Sequence, residues 1–105
     1  MDWLVYLACI AGGAFLVNAV PHFVAGISGR KFHSPFASPP VKGLSSAVVN
    51  VIWGLVNFII AYALLIWAGA CNPEFNCKTL AVAIGAIITS IALAVIFSTV
   101  DKNLK

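Results

Sequence analysis

Three long stretches of this sequence carry no charged residue, and they dominate its hydrophobic pattern. They cover residues 3–29, 43–73 and 80–100. A helix of about 20 residues crosses the hydrocarbon core of a bilayer. Each stretch is therefore long enough for one transmembrane helix. We predict helices near residues 3–27, 46–70 and 78–99, which form an all-α bundle of three transmembrane helices in a single membrane domain, residues 1–105.

The composition of the chain supports this assignment. Of its 105 residues, 62% are hydrophobic and only 9% are charged. A typical soluble domain is about 45–50% apolar and about 25% charged. The high hydrophobicity argues against a soluble globule and also against intrinsic disorder. No basic region precedes the first stretch, so we expect it to be a membrane span and not a signal peptide.

The basic residues are distributed unevenly around the three spans. The loop between the first two helices and the C-terminal tail contain all but one of the six Lys and Arg residues. Cytoplasmic segments of membrane proteins carry an excess of Lys and Arg. We therefore predict that the 28–45 loop and the C-terminus are cytoplasmic. The N-terminus and the 71–78 loop are then outside.

The short 71–78 loop contains two cysteines, Cys71 and Cys77, with an Asn-Pro pair between them. An outward-facing loop lies in an oxidising compartment, where a disulfide forms readily. We predict a structural disulfide between these two residues, with a redox-active pair or a metal site as alternatives. A third cysteine, Cys9, lies in the first helix and is expected to be a small packing residue.

The loop between the first two helices contains three prolines, so it cannot be helical throughout. Its apolar residues predict a structured loop that folds back against the membrane face or the helix ends. A serine there can cap the second helix, whose N-terminus would face the basic residues of the loop. We predict a headgroup site for an anionic phospholipid made by Arg30, Lys31, Lys42, Ser45 and Ser46. The alternative is that the basic residues only set topology.

Polar residues inside the predicted spans fall on defined helix faces. Asn18 and His22 lie four residues apart on the first helix. On the second helix, Asn50 and Asn57 share a stripe with Gly54, and Trp53 borders it. Small residues allow close helix approach, and amides then hydrogen bond across the contact. We predict an intramembrane polar cluster in which His22 meets an asparagine of the second helix. Its members are Asn18, His22, Asn50, Trp53 and Asn57.

His22 is the one ionisable side chain well inside a predicted span, and such residues are functional candidates. One interpretation is a neutral, structural histidine bonded to an asparagine. A second is a proton relay or a substrate contact. A third is a ligand to haem or another metal, for which His33 or a partner chain would have to supply a second axial ligand.

Familiar catalytic patterns are missing from the sequence. None of its three acidic residues lies within a predicted span. The chain has no glycine-rich phosphate loop, no His-Glu-x-x-His motif and no Gly-x-Ser-x-Gly motif. We therefore assign no catalytic residue and no metal site, and the sequence favours a non-enzymatic protein.

One pattern of residues extends from the first helix into the second. It reads Pro21-His22-Phe23, then Ser34-Pro-Phe-Ala-x-Pro-Pro, then Ser45-Ser-x-x-x-Asn-x-x-Trp-Gly54. It resembles a group of uncharacterised small bacterial inner-membrane proteins. The resemblance covers roughly residues 18–60. It implies a bacterial inner membrane and no particular activity.

The sequence thus favours an oligomeric or accessory subunit of a membrane complex, in contact with the bilayer, with anionic phospholipid and with copies of itself or larger partners. Nucleic acid is not an expected partner. A first alternative is a homo-oligomeric carrier or pore for a small solute or lipid, lined by the polar cluster. A second is a haem- or quinone-binding subunit that uses His22.

Overall fold

In the computed structural model, three helices make up most of the part of the chain that the structure describes. That part is residues 3–70 and 76–104, with side chains up to residue 100. The helices are α1 (Trp3–Ile27), α2 (Ala47–Ala68) and α3 (Cys77–Leu104). All three are long and apolar enough to cross a membrane, as predicted.

The ends of α2 are set by local capping. The Ser46 hydroxyl accepts a hydrogen bond from the backbone N–H of Val49 at 3.2 Å, which makes Ser46 the N-cap. At the other end, Gly69 has a φ of 69°, in the left-handed region where glycine is favoured. The helix therefore ends slightly before the predicted residue 70.

α3 is longer at both ends than the predicted 78–99. At its start, the Asn76 side chain accepts hydrogen bonds from the N–H groups of Lys78 and Thr79, at 2.9 and 3.1 Å. This cap allows the helix to begin at Cys77. At its end the helix continues past Val100, because charged residues such as lysine are compatible with a helix beyond the apolar segment.

The predicted disulfide is not supported. Cys77 is an exposed, free thiol in the first turn of α3, and Cys71 lies outside the described residues. The predicted 71–78 loop ends earlier in the structure, because the Asn76 cap places Cys77 in the first turn of α3. Cys9 is free and fully buried in α1, as expected for a packing residue.

α1 is the central helix, and it packs along both α2 and α3. Glycines permit this close contact on two sides. A Cβ at Gly26 would lie 2.7 Å from the Ala47 carbonyl oxygen of α2. On the other side, a Cβ at Gly85 of α3 would overlap the backbone of Ile10. Within the described residues, α2 and α3 have no comparably extended contact with each other.

The connection between α1 and α2 is ordered and contains a small antiparallel ribbon. Strand β1 (Phe32–His33) pairs with strand β2 (Leu44–Ser45), so that Phe32 lies opposite Ser45. His33 and Ser34 are almost completely buried, at 2% exposure each. The connection is thus ordered through two buried polar residues, whereas Phe36, Val41 and Leu44, on which the prediction of a folded-back loop depended, are exposed.

Candidate functional site

Two hydrogen-bonded pairs link α1 to α2, and each joins one of the predicted polar residues of α1 to an asparagine of α2. In the first pair, Asn18 Nδ2 donates to Asn57 Oδ1 at 2.9 Å. Asn57 in turn donates through Nδ2 to the Trp53 carbonyl oxygen at 2.8 Å. Asn57 is completely buried, and both the oxygen and the nitrogen of its side-chain amide are hydrogen bonded inside the protein.

In the second pair, His22 Nδ1 lies 2.9 Å from Asn50 Oδ1, and both side chains are buried. The predicted contact between His22 and an asparagine of α2 is thus present. The surroundings also identify the donor. Because Asn50 Nδ2 faces backbone carbonyl oxygens, the atom facing His22 is the amide oxygen, and the proton of this bond lies on Nδ1.

The Asn50 side chain holds the connection in place. Its Nδ2 group lies within hydrogen-bonding distance of the carbonyl oxygens of Phe32, Ser45 and Ser46, at 3.1, 3.3 and 3.1 Å. One amide therefore contacts β1, β2, the start of α2 and, through His22, α1. We call the His22–Asn50 pair with these three carbonyl groups the polar knot.

The ribbon has its own internal bonds next to the polar knot. His33 Nδ1 lies 3.1 Å from the Gly43 carbonyl oxygen, across the ribbon. The hydroxyls of Ser34 and Ser45 are 2.5 Å apart, and the Ser34 hydroxyl also accepts from the Phe36 N–H at 3.1 Å. These bonds satisfy polar groups that would otherwise be costly to bury.

Aromatic rings surround His22 on several sides. Phe32, Trp53 and Phe97 contact its ring edge to face, with centroid distances of 5.5, 6.4 and 6.0 Å. Phe97 of α3 also packs against Phe32 at 4.8 Å and stacks on His33 at 5.8 Å. α3 is thereby attached to the ribbon, and the imidazole is held in a fixed orientation.

This environment bears on the chemistry available to His22. Its Nδ1 atom is used by Asn50, and three aromatic rings occupy the space around the imidazole. A porphyrin would have to displace this aromatic packing. Among the described residues there is no group of three or more His, Cys, Asp or Glu side chains able to hold a metal ion.

A small cavity of about 100 Å³ lies between the polar cluster and the connection. Its lining includes Asn18, His22 and Ser34 together with Trp53 and Phe97. Trp53 Nε1 is the one fully covered side-chain nitrogen or oxygen without a hydrogen-bond partner among the described residues. Asn50 and Asn57 are fully buried and bonded, so the cluster exposes little polar surface for a solute path within one chain.

The five residues of the predicted headgroup site have different contacts in the structure. Ser46 caps the helix, and Ser45 is buried against Ser34. Arg30 and Lys31 line a larger crevice between the ribbon and α3, and Lys42 is not among its lining residues. The two cations therefore lie beside α3.

Several residues of the site could not be recognised from the sequence. Phe97 lies in the apolar segment of α3, where the sequence pattern does not distinguish a ring that contacts His22 from one that faces lipid. Phe32 and Ser34 both contact Ser45, because β1 pairs with β2. Strands of two residues are too short to show a periodic pattern in the sequence, so this pairing could not be recognised. The Asn50 contacts with the ribbon depend on that same pairing.

Comparison with protein-family models, with curated proteins and with solved structures finds no match for this chain.

Proposed function

We propose that this protein is a small, non-enzymatic subunit of a membrane assembly, and that it associates through helix contacts with further copies of itself. The observation that carries the proposal is a crevice of about 220 Å³ between α1 and α3, lined by Ala14, Phe15, Asn18 and Thr89. It lies near the middle of both helices, at the depth of the hydrocarbon core.

The crevice contains polar atoms that the described part of the chain leaves without a partner. The Asn18 Nδ2 group binds Asn57, but its carbonyl oxygen makes no hydrogen bond there. The Thr89 hydroxyl likewise makes none, whereas its neighbour Ser90 bonds to the Ala86 carbonyl oxygen of its own helix. In hydrocarbon no water satisfies such atoms, so a polar partner from another helix stabilises them.

The shape of the crevice fits a helix of a second copy. Ala14 and Thr89 are small, and small residues let two helix backbones approach closely enough for such bonds. Both α1 and α3 present exposed apolar side chains to the surroundings, among them Leu16 of α1 and Ile88 of α3. A second copy can therefore reach the crevice without rearrangement of the three helices.

Thr89→Leu tests this association, with Ser90→Leu as the matched control. Leucine at position 89 fills the crevice and removes its hydroxyl, whereas Ser90 is exposed and bonded within its own helix. Native mass spectrometry from nanodiscs should give a discrete homo-oligomer for the wild type and for Ser90→Leu, and a monomer for Thr89→Leu. A wild-type monomer, or an oligomer unaffected by Thr89→Leu, would contradict the proposal.

For the environment of this subunit we propose a bacterial inner membrane, crossed three times. The excess of Lys and Arg on the side of the 28–45 connection supports a cytoplasmic connection and C-terminus, with the N-terminus outside. The resemblance of the Pro21–Gly54 pattern to small bacterial inner-membrane proteins supports the same assignment.

A further inference from the structure

We propose that the crevice between Arg30, Lys31 and α3 binds the headgroup of an anionic phospholipid. The crevice has a volume of about 530 Å³ and lies between the start of the connection, the ribbon and the last turns of the α3 span. It belongs to a single chain, so it does not depend on the association proposed above.

The charged part of the crevice suits a phosphate group. Arg30 and Lys31 are both exposed, and neither forms an ion pair within the described part of the chain. A guanidinium binds phosphate oxygens through two parallel hydrogen bonds, and a lysine adds a mobile positive charge. The Ser98 hydroxyl lines the same crevice and has no hydrogen-bond partner among the described residues, so it is a free donor.

The apolar part of the crevice indicates a lipid and not a free anion. Leu44, Ala94 and Phe97 line it beside the cations. Phe97 lies within the span of α3, and Arg30 follows the end of α1 by less than one helical turn. The crevice therefore extends from the headgroup region toward the hydrocarbon, where an acyl chain continues from the phosphate. A water-soluble phosphate would leave this apolar wall uncovered.

The polar knot gives the crevice its shape. Arg30 and Lys31 directly precede β1, and Asn50 binds the carbonyl oxygen of Phe32 in β1. Phe97 packs against the ring of Phe32 from the α3 side. The two cations are thus placed against α3 by an ordered segment, which reduces the conformational entropy lost on binding.

Native mass spectrometry from nanodiscs with equal amounts of phosphatidylglycerol and phosphatidylcholine of the same acyl chains tests the site. The wild type should retain phosphatidylglycerol preferentially. The double variant Arg30→Gln/Lys31→Gln should lose about tenfold in this preference, the size expected when charge-assisted hydrogen bonds are removed. Lys42→Gln removes an equal charge from the same connection but outside the crevice, and it should leave the preference intact.

Two further experiments identify the source of the phosphate and test the crevice without removing its charges. Millimolar inorganic phosphate should not displace the retained lipid, whereas displacement would indicate a site for a free anion and overturn the proposal. Ser98→Leu fills the crevice without altering the cations and should also reduce retention. Equal retention of both lipids by the wild type, or an equal loss in Lys42→Gln, would likewise overturn it.

Discussion

His22 Nδ1 donates a hydrogen bond to Asn50 Oδ1 over 2.9 Å, and both residues are buried where α1, α2 and the connecting ribbon meet. Asn50 is the residue through which the helix pair and the ribbon are joined, since its Nδ2 group contacts carbonyl oxygens of β1 and β2 as well. A side chain of α2 thereby contacts both strands of the connection between the helices.

Asn50→Ala should destabilise the protein more than truncation of either other asparagine of the polar cluster. It leaves the His22 N–H and the Phe32 and Ser45 carbonyl oxygens without this partner, and we expect a loss of about 2–3 kcal/mol. Asn57→Ala is the matched control, since Asn57 sits on the same helix and bonds only to Asn18 and to its own helix; about 1 kcal/mol is expected. Reversible unfolding in mixed micelles measures both. Equal losses would contradict the role of Asn50.

The His22–Asn50 bond itself should be worth only a modest amount. Hydrogen bonds between membrane helices average about 0.6 kcal/mol, because the separated helices also find partners. His22→Ala should cost about 1–2 kcal/mol, since the aromatic contacts of the imidazole are lost as well. A double-mutant cycle with Asn50→Ala isolates the bond and should return a coupling energy of about 1 kcal/mol. No coupling at all would mean that the two side chains do not interact in the membrane.

Gly85→Ala should separate α1 from α3. A Cβ at this position would overlap the backbone of Ile10, which cannot move aside as a flexible side chain could. We expect a loss of about 1–3 kcal/mol from this overpacking. Ala92→Val adds volume on an exposed part of the same helix and should change the unfolding free energy little. If both variants unfold like the wild type, the close contact of α1 with α3 is incorrect.

The proposed orientation predicts which end of the protein is accessible from outside the cell. In a Cys71→Ser background, a membrane-impermeant maleimide should label the exposed Cys77 in intact cells and should leave the buried Cys9 unmodified. Ser28→Cys in the same background places a thiol at the opposite end of α1, and it should react only after the cells are opened. Labelling of position 28 in intact cells would reverse the orientation.

The three helices could be predicted from the sequence because the absence of charge over about 20 residues is a direct consequence of bilayer thickness. The α1–α2 contact could also be predicted, since Asn18 and His22 repeat at helical spacing and Gly54 lies between Asn50 and Asn57 on one stripe of α2. The start of α3 was wrong by one residue, because the Asn76 cap was not recognised. The predicted disulfide is not supported, since Cys77 is a free thiol and Cys71 lies outside the described residues.

The ribbon and the crevice beside it could not be predicted. Pairing of Phe32 with Ser45 depends on a chain reversal between them and on an amide of α2, and neither leaves a periodic signal in the sequence. For the same reason the sequence does not indicate that Arg30 and Lys31 line a crevice beside α3. Sequence spacing locates residues along one helix and carries no information on the direction of an irregular segment.

The central claim, that Asn50 fixes the fold of the connection, is tested most directly by amide hydrogen exchange in nanodiscs. The Val41 and Gly43 N–H groups donate to the Ser34 and Pro39 carbonyl oxygens at 2.8 Å each. In the wild type these amides should exchange slowly, and in Asn50→Ala they should approach the rate of an unstructured chain, while the amides in the middle of α2 stay protected. Fast exchange in the wild type, or unchanged protection in Asn50→Ala, would contradict the claim.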